Sequence, residues 1–119
     1  MTAASSTRRR RGADTQRHVA GYLRTHGWRF AEPVGAGSPG ADITGVPGLA
    51  VEVKARRGLD LPGWLRQAAR NAAGRVPLLV VRPDGFGPAT VDDWPVTLRL
   101  ADAVELLHAA GYGDEAVGA

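Results

Sequence analysis

The chain has 119 residues, no cysteine and a formal net charge of +3, and 44% of its residues are hydrophobic. This length supports one domain with a modest core, and the absence of cysteine excludes disulfides and thiolate metal sites. No apolar run is long enough for a membrane span, and residues 1–12 are too polar for a secretory signal, so we expect no membrane partner.

Residues 1–12 are expected to form a disordered basic arm, because their four consecutive arginines repel one another. A helix is predicted over 14–26, with Asp14 as its N-cap and Gly27 as its stop. The predicted inner face of this helix consists of Gln16, Val19, Ala20 and Leu23.

Three strands are predicted next, over 28–34, 41–44 and 49–54. The Gly- and Pro-rich residues 35–40 separate the first two strands, and a turn at Pro47-Gly48 separates the second from the third. If Gly48 takes the left-handed position of a three-residue loop, the second and third of these strands form a hairpin in which Gly45 faces Leu49. The numbers of any two residues that face each other in this hairpin then sum to 94.

The second half of the chain begins with a helix predicted over 62–73, introduced by Asp60 and Pro62 and ended by Gly74. An amphipathic pattern divides this helix into a buried stripe and a more polar one beside it. The expected buried stripe is Leu61, Leu65, Ala68 and Ala72, and the polar stripe is Trp64, Gln67 and Asn71.

The apolar run at 76–82 is typical of a central strand that is covered on both faces. A strand over 96–100 and a helix over 101–110 follow it, and residues 113–119 form a short acidic tail. The predicted order α-β-β-β-α-β, followed by β-α, indicates a single α/β domain over 13–112, with helices flanking a mixed central sheet.

Two opposite charges interrupt the third predicted strand, since Glu52 and Lys54 project from the same face two residues apart. In the register that sums to 94, Asp42 lies directly opposite Glu52 on that face. A slip by one residue would place the two carboxylates on opposite faces, and Pro47 is unfavourable in the second turn position.

These three side chains suit metal-assisted hydrolysis of a phosphodiester. Carboxylates one strand spacing apart, about 5 Å, repel one another unless a cation lies between them, and oxygen ligands are those that Mg²⁺ prefers. Lys54, the single lysine among 15 basic residues, would hold or activate water, or steady the charge on the phosphate. The alternative interpretation is a solvated face of an edge strand, with Asp42 as an ordinary turn residue.

The segments GADI and VEVK resemble the motif of the PD-(D/E)XK nuclease superfamily, with Asp42, Glu52 and Lys54 at the motif positions and Ala41 in place of the proline. The closest resemblance is to archaeal-type and phage Holliday junction resolvases, over most of residues 10–82. Their first helix is similar to RRGADTQRHVAGYLRTHGW, their loop before the metal-binding aspartate to GAGSPGADI, and a later core strand to VPLLVVR. The resemblance implies a restriction-endonuclease-like αβββαβ core.

The resemblance further implies a Mg²⁺-dependent endonuclease, with Mn²⁺ able to substitute. Asp42, Glu52 and the backbone carbonyl of Val53 would bind the metal, and Lys54 would act beside the two carboxylates. Those resolvases carry a metal-binding glutamate in the first helix, where this chain has Gln16. A glutamine amide can hold a metal-bound water but brings no charge.

Charge is divided along the chain: residues 1–82 hold 14 basic and five acidic side chains, a net charge of +9, whereas residues 83–119 carry a net charge of −6. This polarity predicts a polyanionic partner, and the resemblance implies DNA, contacted through its phosphates. The alternative is a general abundance of arginine together with an acidic terminus. The expected DNA-binding residues are Arg8, Arg9, Arg10, Arg11, Ser38, Arg56, Arg57, Arg66, Gln67 and Arg70.

The function that the resemblance implies is cleavage of branched DNA, namely four-way (Holliday) junctions, in DNA recombination and repair. Two symmetric cuts require two sites, so a twofold homodimer is expected, with Leu100, Val104 and Leu107 as a candidate apolar contact. The alternatives are another nuclease of the superfamily, acting on ends, mismatches or single strands, and a catalytically silent DNA-binding protein of the same fold. The expected location is the cytoplasm of a bacterial or phage-infected cell, at the nucleoid.

Overall fold

The computed structural model describes residues 3–35, 40–55 and 58–114. Its helices are α1 (Ala3–Thr25), α2 (Leu61–Asn71) and α3 (Leu100–Ala109), and a short 3-10 helix spans Pro88–Asp93. Its strands are β1 (Glu32–Pro33), β2 (Ile43–Thr44), β3 (Leu49–Lys54), β4 (Val76–Val81) and β5 (Val96–Thr97). The predicted order of helices and strands is therefore confirmed.

The five strands form one mixed sheet in the order β1-β2-β3-β4-β5. β3 and β4 are parallel, and the other neighbouring pairs are antiparallel. β2 pairs with β3 through Ile43 and Val51, so the predicted register is confirmed. Gly48 has a φ of 80°, which is the left-handed conformation that the predicted loop requires.

The main core lies between α1 and one face of the sheet. Side chains alternate along a strand, and the odd-numbered residues of β3 project to this face. The predicted inner face of α1 is confirmed there, because Val19 and Ala20 pack against Val51. The buried members of this core are Val19, Ala20, Ala31, Ile43, Val46, Val51, Val80 and Trp94.

α2 covers the opposite face of the sheet, to which the even-numbered residues of β3 project. Ala50 packs there with Ala41 and Ala72, and Ala68 of α2 is fully buried. Because alanines occupy little volume, the backbone of α2 can lie close to β3. The α/β class, with helices flanking a mixed sheet, is thereby confirmed and is compatible with an αβββαβ core.

α1 is longer than the helix predicted from the sequence. It begins at Ala3, so Asp14 lies inside the helix rather than at its N-cap, and the stretch expected to be a disordered arm is helical from Ala3. Alanine and arginine both favour the helix, and the helix spreads consecutive arginine side chains around its axis. None of the described helices is long and apolar enough to cross a membrane.

The strand and helix boundaries elsewhere differ by a few residues. β1 has two residues rather than seven, because a turn in which the Ala31 N–H donates to the Trp28 carbonyl occupies the first part of the predicted strand. β5 ends at Thr97, and α3 already begins at Leu100. Within the predicted buried stripe of α2, Ala68 and Ala72 are buried, whereas Leu61 and Leu65 are half-buried.

Candidate active site

Asp42, Glu52 and Lys54 meet at the carboxyl end of β3, on the face that α2 covers. Asp42 precedes β2, and its Oδ2 accepts a hydrogen bond from the Val53 backbone N–H at 2.8 Å, which ties the two strands together beside Glu52. Glu52 is 3% exposed, and Lys54 is half-buried. The structure therefore brings together the three residues of the sequence motif.

Two amide side chains of α2 hold the charged groups of β3. Asn71 Nδ2 donates to Glu52 Oε1 at 2.8 Å, and Lys54 Nζ donates to Gln67 Oε1, also at 2.8 Å. Gln67 and Asn71 are four residues apart, which places them on one face of the helix. Each charge of the E-x-K motif thus has its own partner on α2.

The start of α2 sets the position of those two amides. Asp60 is the N-cap, and its Oδ1 accepts a hydrogen bond from the Gly63 N–H at 3.0 Å. Pro62 occupies the first turn, where its fixed φ suits a helix and its missing N–H costs nothing. The predicted start of α2 is confirmed to within one residue, and this start determines that Gln67 and Asn71 face β3.

The surroundings of Glu52 shift its protonation toward higher pH. Burial raises the pKa of Glu52 from the usual 4.5 to about 7. The hydrogen bond from Asn71 opposes this rise, and so does the charge of Lys54. The charge of Asp42 and a hydrogen bond with Asp42 both raise the pKa further. The negative charge of Asp42 thus opposes ionisation of Glu52. A divalent ion would relieve this repulsion.

The donor set of the site fits Mg²⁺. The hydrogen bonds from Val53 and Asn71 each occupy one oxygen of a carboxylate, and a metal would replace the hydrogen bond between the two carboxyl groups. Mg²⁺ commonly binds to one or two carboxylates and completes its shell with water and phosphate. Across 3–35, 40–55 and 58–114 no group of three or more His, Cys, Asp or Glu side chains could hold a metal, so the pair would need such additional oxygens.

Gln16 lies on α1, on the opposite side of the sheet from α2. It is 8% exposed, and its Oε1 is the only buried side-chain nitrogen or oxygen atom that lacks a hydrogen bond in the described part of the chain. A buried acceptor without a partner costs about 1–3 kcal/mol. Its predicted contact with a metal-bound water stays a prediction, as does the metal bond of the Val53 carbonyl.

Five of the predicted DNA-binding arginines have described side chains, and these lie on two helices. Arg66 and Arg70 are exposed on α2, next to Gln67, and Arg9 and Arg10 are exposed on α1, where Arg11 is half-buried. The remaining predicted contacts fall outside the described side chains: Arg8, Ser38, Arg56 and Arg57.

Asn71 is the residue of this site that sequence reasoning did not select. The sequence placed it on the polar stripe of α2 together with Gln67, and its spacing of four from Gln67 was the available signal. Its partner Glu52 is 19 residues earlier in the chain, and no local pattern links the two positions.

Comparisons of the chain with protein families, with curated proteins and with solved structures gave no match. The interpretation of the site therefore depends on its own residues and their contacts. The resemblance to PD-(D/E)XK nucleases stays a prediction from the motif.

Proposed function

We propose that this protein is a metal-dependent DNA endonuclease that hydrolyses phosphodiester bonds, with Mg²⁺ as its metal and Mn²⁺ able to substitute. The observation that carries the proposal is the pair of mutually repelling carboxylates, the buried Glu52 and the half-buried Asp42, next to the single lysine of the chain. Burial of like charges opposes folding unless another group compensates them. A divalent cation at this position supplies that compensation.

Each residue of the site has a role in this proposal. Asp42, Glu52 and the Val53 carbonyl would hold the metal, which would polarise the phosphate and neutralise part of its charge. Lys54, fixed by Gln67, would orient the attacking water or stabilise the negative charge on the phosphate. Asn71 would keep the Glu52 carboxylate in place.

The reaction is a hydrolysis in which the oxygen of water bonds to phosphorus and the bond to one ester oxygen breaks. The proton that the water loses is balanced by the proton that the leaving oxygen gains, so the products are a phosphomonoester and an alcohol. Lys54 would hold or pass a proton at the attacking water.

The proposed substrate is branched DNA, cut at four-way junctions. The proposed role is DNA recombination and repair, in the cytoplasm of a bacterial or phage-infected cell, at the nucleoid. The exposed Arg66 and Arg70 of α2, next to the site, support phosphate contacts there. The junction itself is inferred from the resemblance to resolvases, and cleavage of ends, mismatches or single strands is the alternative within nucleases.

A catalytically silent DNA-binding protein of this fold is the second candidate. The observation that favours it is the replacement of a carboxylate by Gln16, which leaves two carboxylates rather than three for a metal. This candidate predicts that DNA binds without being cut, and that Lys54→Ala leaves binding unchanged.

The test is cleavage of a synthetic four-way junction, a linear duplex and a single strand of the same sequence, each with Mg²⁺ or with EDTA. We expect cutting of the junction with Mg²⁺, and a loss of at least about 100-fold in Lys54→Ala and Glu52→Gln. Glu105→Gln, which changes an exposed glutamate of α3, is the control and should cut normally.

Cutting of the linear duplex or single strand at the same rate would favour the other nucleases. Junction binding without any product, by a protein that also gives no heat on titration with Mg²⁺ or Mn²⁺, would favour the silent protein. Cleavage that persists in EDTA or in Glu52→Gln would contradict the metal site.

A further inference from the structure

A basic cleft of about 480 Å³ lies beside α1, on the other side of the sheet from α2. Four guanidinium groups and one carboxylate line it, which gives the lining a formal charge of +3. The lining residues are Arg10, Arg11, Ala13, Asp14, Arg17 and Arg82. Arg17 and Arg82 are not among the DNA-binding residues predicted from the sequence.

Arg82 is the fixed element of this cleft, and it is 8% exposed. Its Nε donates to the Phe86 carbonyl at 2.9 Å, and its Nη1 donates to Thr15 Oγ1 at 3.1 Å and to Asp14 Oδ2 at 3.3 Å. The guanidinium group lies 5.2 Å from the centre of the Trp94 ring. Among the described residues, these bonds use Nε and Nη1 of the guanidinium group.

Asp14 is shared among two arginines and one histidine. Arg17 Nη2 is 2.9 Å from its carboxylate, and Arg82 Nη1 and His18 Nε2 are each 3.3 Å away. One carboxylate cannot neutralise this cluster together with the neighbouring Arg10 and Arg11. The excess positive charge of the cleft is therefore available to an anion.

The cleft and the candidate active site lie at the same end of the sheet. Arg82 directly follows β4, and its backbone N–H donates to the Lys54 carbonyl at 2.8 Å across the parallel pair of strands. A nucleic acid strand that passes the carboxyl ends of β3 and β4 has the carboxylate pair on one side of the sheet and the cleft on the other.

We propose that this cleft is a phosphate subsite, which binds a backbone phosphodiester of the DNA that is not the one cut; this rests on the proposed function. Guanidinium groups match the oxygens of a phosphate in bidentate geometry, and several of them compensate its charge. Such a contact positions the DNA without selecting a base sequence. Arg17 can turn from Asp14 to the phosphate, while Asp14 keeps its contact with Arg82.

The experiment measures the affinity of a fluorescent four-way junction without terminal phosphates, in EDTA and over a series of salt concentrations. Arg17→Gln is expected to weaken binding several-fold and to reduce the slope of log K against log salt by about 1. Asp14→Asn is expected to tighten binding, since it removes the one negative charge of the cleft.

The controls come from the start of α3, where Arg99, directly before the helix, and Asp102 form another pair three residues apart, with Nε and Oδ2 at 2.8 Å. Arg99→Gln and Asp102→Asn should leave the affinity and the salt slope unchanged. An Arg17→Gln variant that binds like the wild type, or no more weakly than Arg99→Gln, would overturn the proposal. Arg17 is exposed, so Arg17→Gln should fold. This variant tests the cleft even if Asp14→Asn fails to fold.

Two further comparisons distinguish the backbone phosphate subsite from a site for terminal phosphates and from the proposed nuclease activity. If a short duplex competes for the cleft only when it carries a 5′-phosphate, the ligand is a terminal phosphomonoester and the assignment to the backbone is wrong. If the wild type cuts the junction and Arg17→Gln binds normally, the nuclease stands and the subsite is wrong. If the wild type does not cut but Arg17→Gln binds weakly, the subsite stands without the nuclease.

Discussion

The protonation of Glu52 is coupled to folding, because its carboxyl group is buried beside that of Asp42. Its pKa in the folded protein, about 7, lies above the usual 4.5. Between these values the folded protein binds more protons than the unfolded chain, so this contribution to stability is present at low pH and is lost as the pH rises through about 7. One pKa unit corresponds to about 1.4 kcal/mol.

We expect the free energy of unfolding of the metal-free protein to fall by on the order of 2 kcal/mol between about pH 5 and about pH 8. Urea denaturation in EDTA measures it, and Glu52→Gln should remove most of this dependence because a glutamine does not titrate. Glu105→Gln, at an exposed position, should keep the wild-type dependence. A Glu52→Gln protein with an unchanged pH dependence would contradict the coupling.

Asn71 provides a second check on the same titration. Its hydrogen bond to Glu52 lowers the pKa of that carboxyl group. Asn71→Ala should therefore raise the pKa of Glu52 further, so that stability in urea denaturation is lost at a higher pH than in the wild type. A variant that only weakens packing would instead lower the free energy of unfolding by the same amount at every pH.

The sequence allowed the central residues of the site to be predicted because their relations are periodic. The alternation of a strand places Glu52 and Lys54 on one face, and the geometry of the loop at Gly48 places Asp42 opposite. The bond from Asn71 to Glu52 was not predicted, because it depends on the distance between α2 and β3. The bonds of Arg82 to α1 have the same cause, since they join residues 67 and 68 positions apart.

The hairpin of β2 and β3 carries Asp42 and Glu52, and a second glycine allows its close contact with the preceding segment. Gly45 has a φ of 77°, and a Cβ at this position would overlap the carbonyl oxygen of Phe30. Gly48, at the turn of the same hairpin, has a similar φ of 80°, but a Cβ there would meet nothing within 4 Å. A side chain at Gly48 would therefore meet backbone strain alone, whereas a side chain at Gly45 would meet the same strain and a steric overlap as well.

We expect Gly48→Ala to lower the free energy of unfolding by about 1 kcal/mol, the cost of a left-handed alanine. Gly45→Ala bears the same strain and also displaces the Phe30 backbone, so its loss should be about 3 kcal/mol. Chemical denaturation of the two variants and the wild type measures the difference. Equal losses would show that the hairpin does not contact Phe30 closely.

The order of the elements was predictable from apolar periodicity and from Gly and Pro at the boundaries, and the errors have local causes. α1 extends to Ala3 through residues that favour the helix, and Asp14, inside it, bonds to Arg17, His18 and Arg82 instead of capping the helix. The short β1 reflects the turn before Ala31. In both cases an interaction over a few residues moved a boundary that the sequence pattern left open.

At the scale of the whole molecule, the two sheet faces carry different parts of the proposed function. The face under α2 holds the carboxylate pair and Lys54, and the side of α1 holds the arginine cleft. Both lie at the carboxyl ends of the parallel β3 and β4. The acidic part of the chain, residues 83–119, follows β4 and would not attract DNA phosphates, so it is available for another contact.

α3 lies in this acidic part, and none of its ten residues is buried. Leu100, Val104 and Leu107 recur at spacings of four and three, so they share one face of the helix, and their exposed fractions are 79%, 56% and 52%. An exposed apolar face of this kind is typical of an interface. A twofold copy that packs on it would give the dimer that two symmetric cuts require.

We therefore expect sedimentation equilibrium to give a dimer for the wild type. Leu107→Glu should shift the protein to monomers, with an association at least about tenfold weaker, because it places a charge in an apolar contact. Ala101→Glu adds the same charge to α3 away from the apolar face and should leave the dimer intact. A wild type that stays monomeric at its highest soluble concentration would contradict the dimer, and equal dissociation by the two variants would place the contact elsewhere. Junction cleavage by Leu107→Glu should then yield single nicks, since each monomer carries one site.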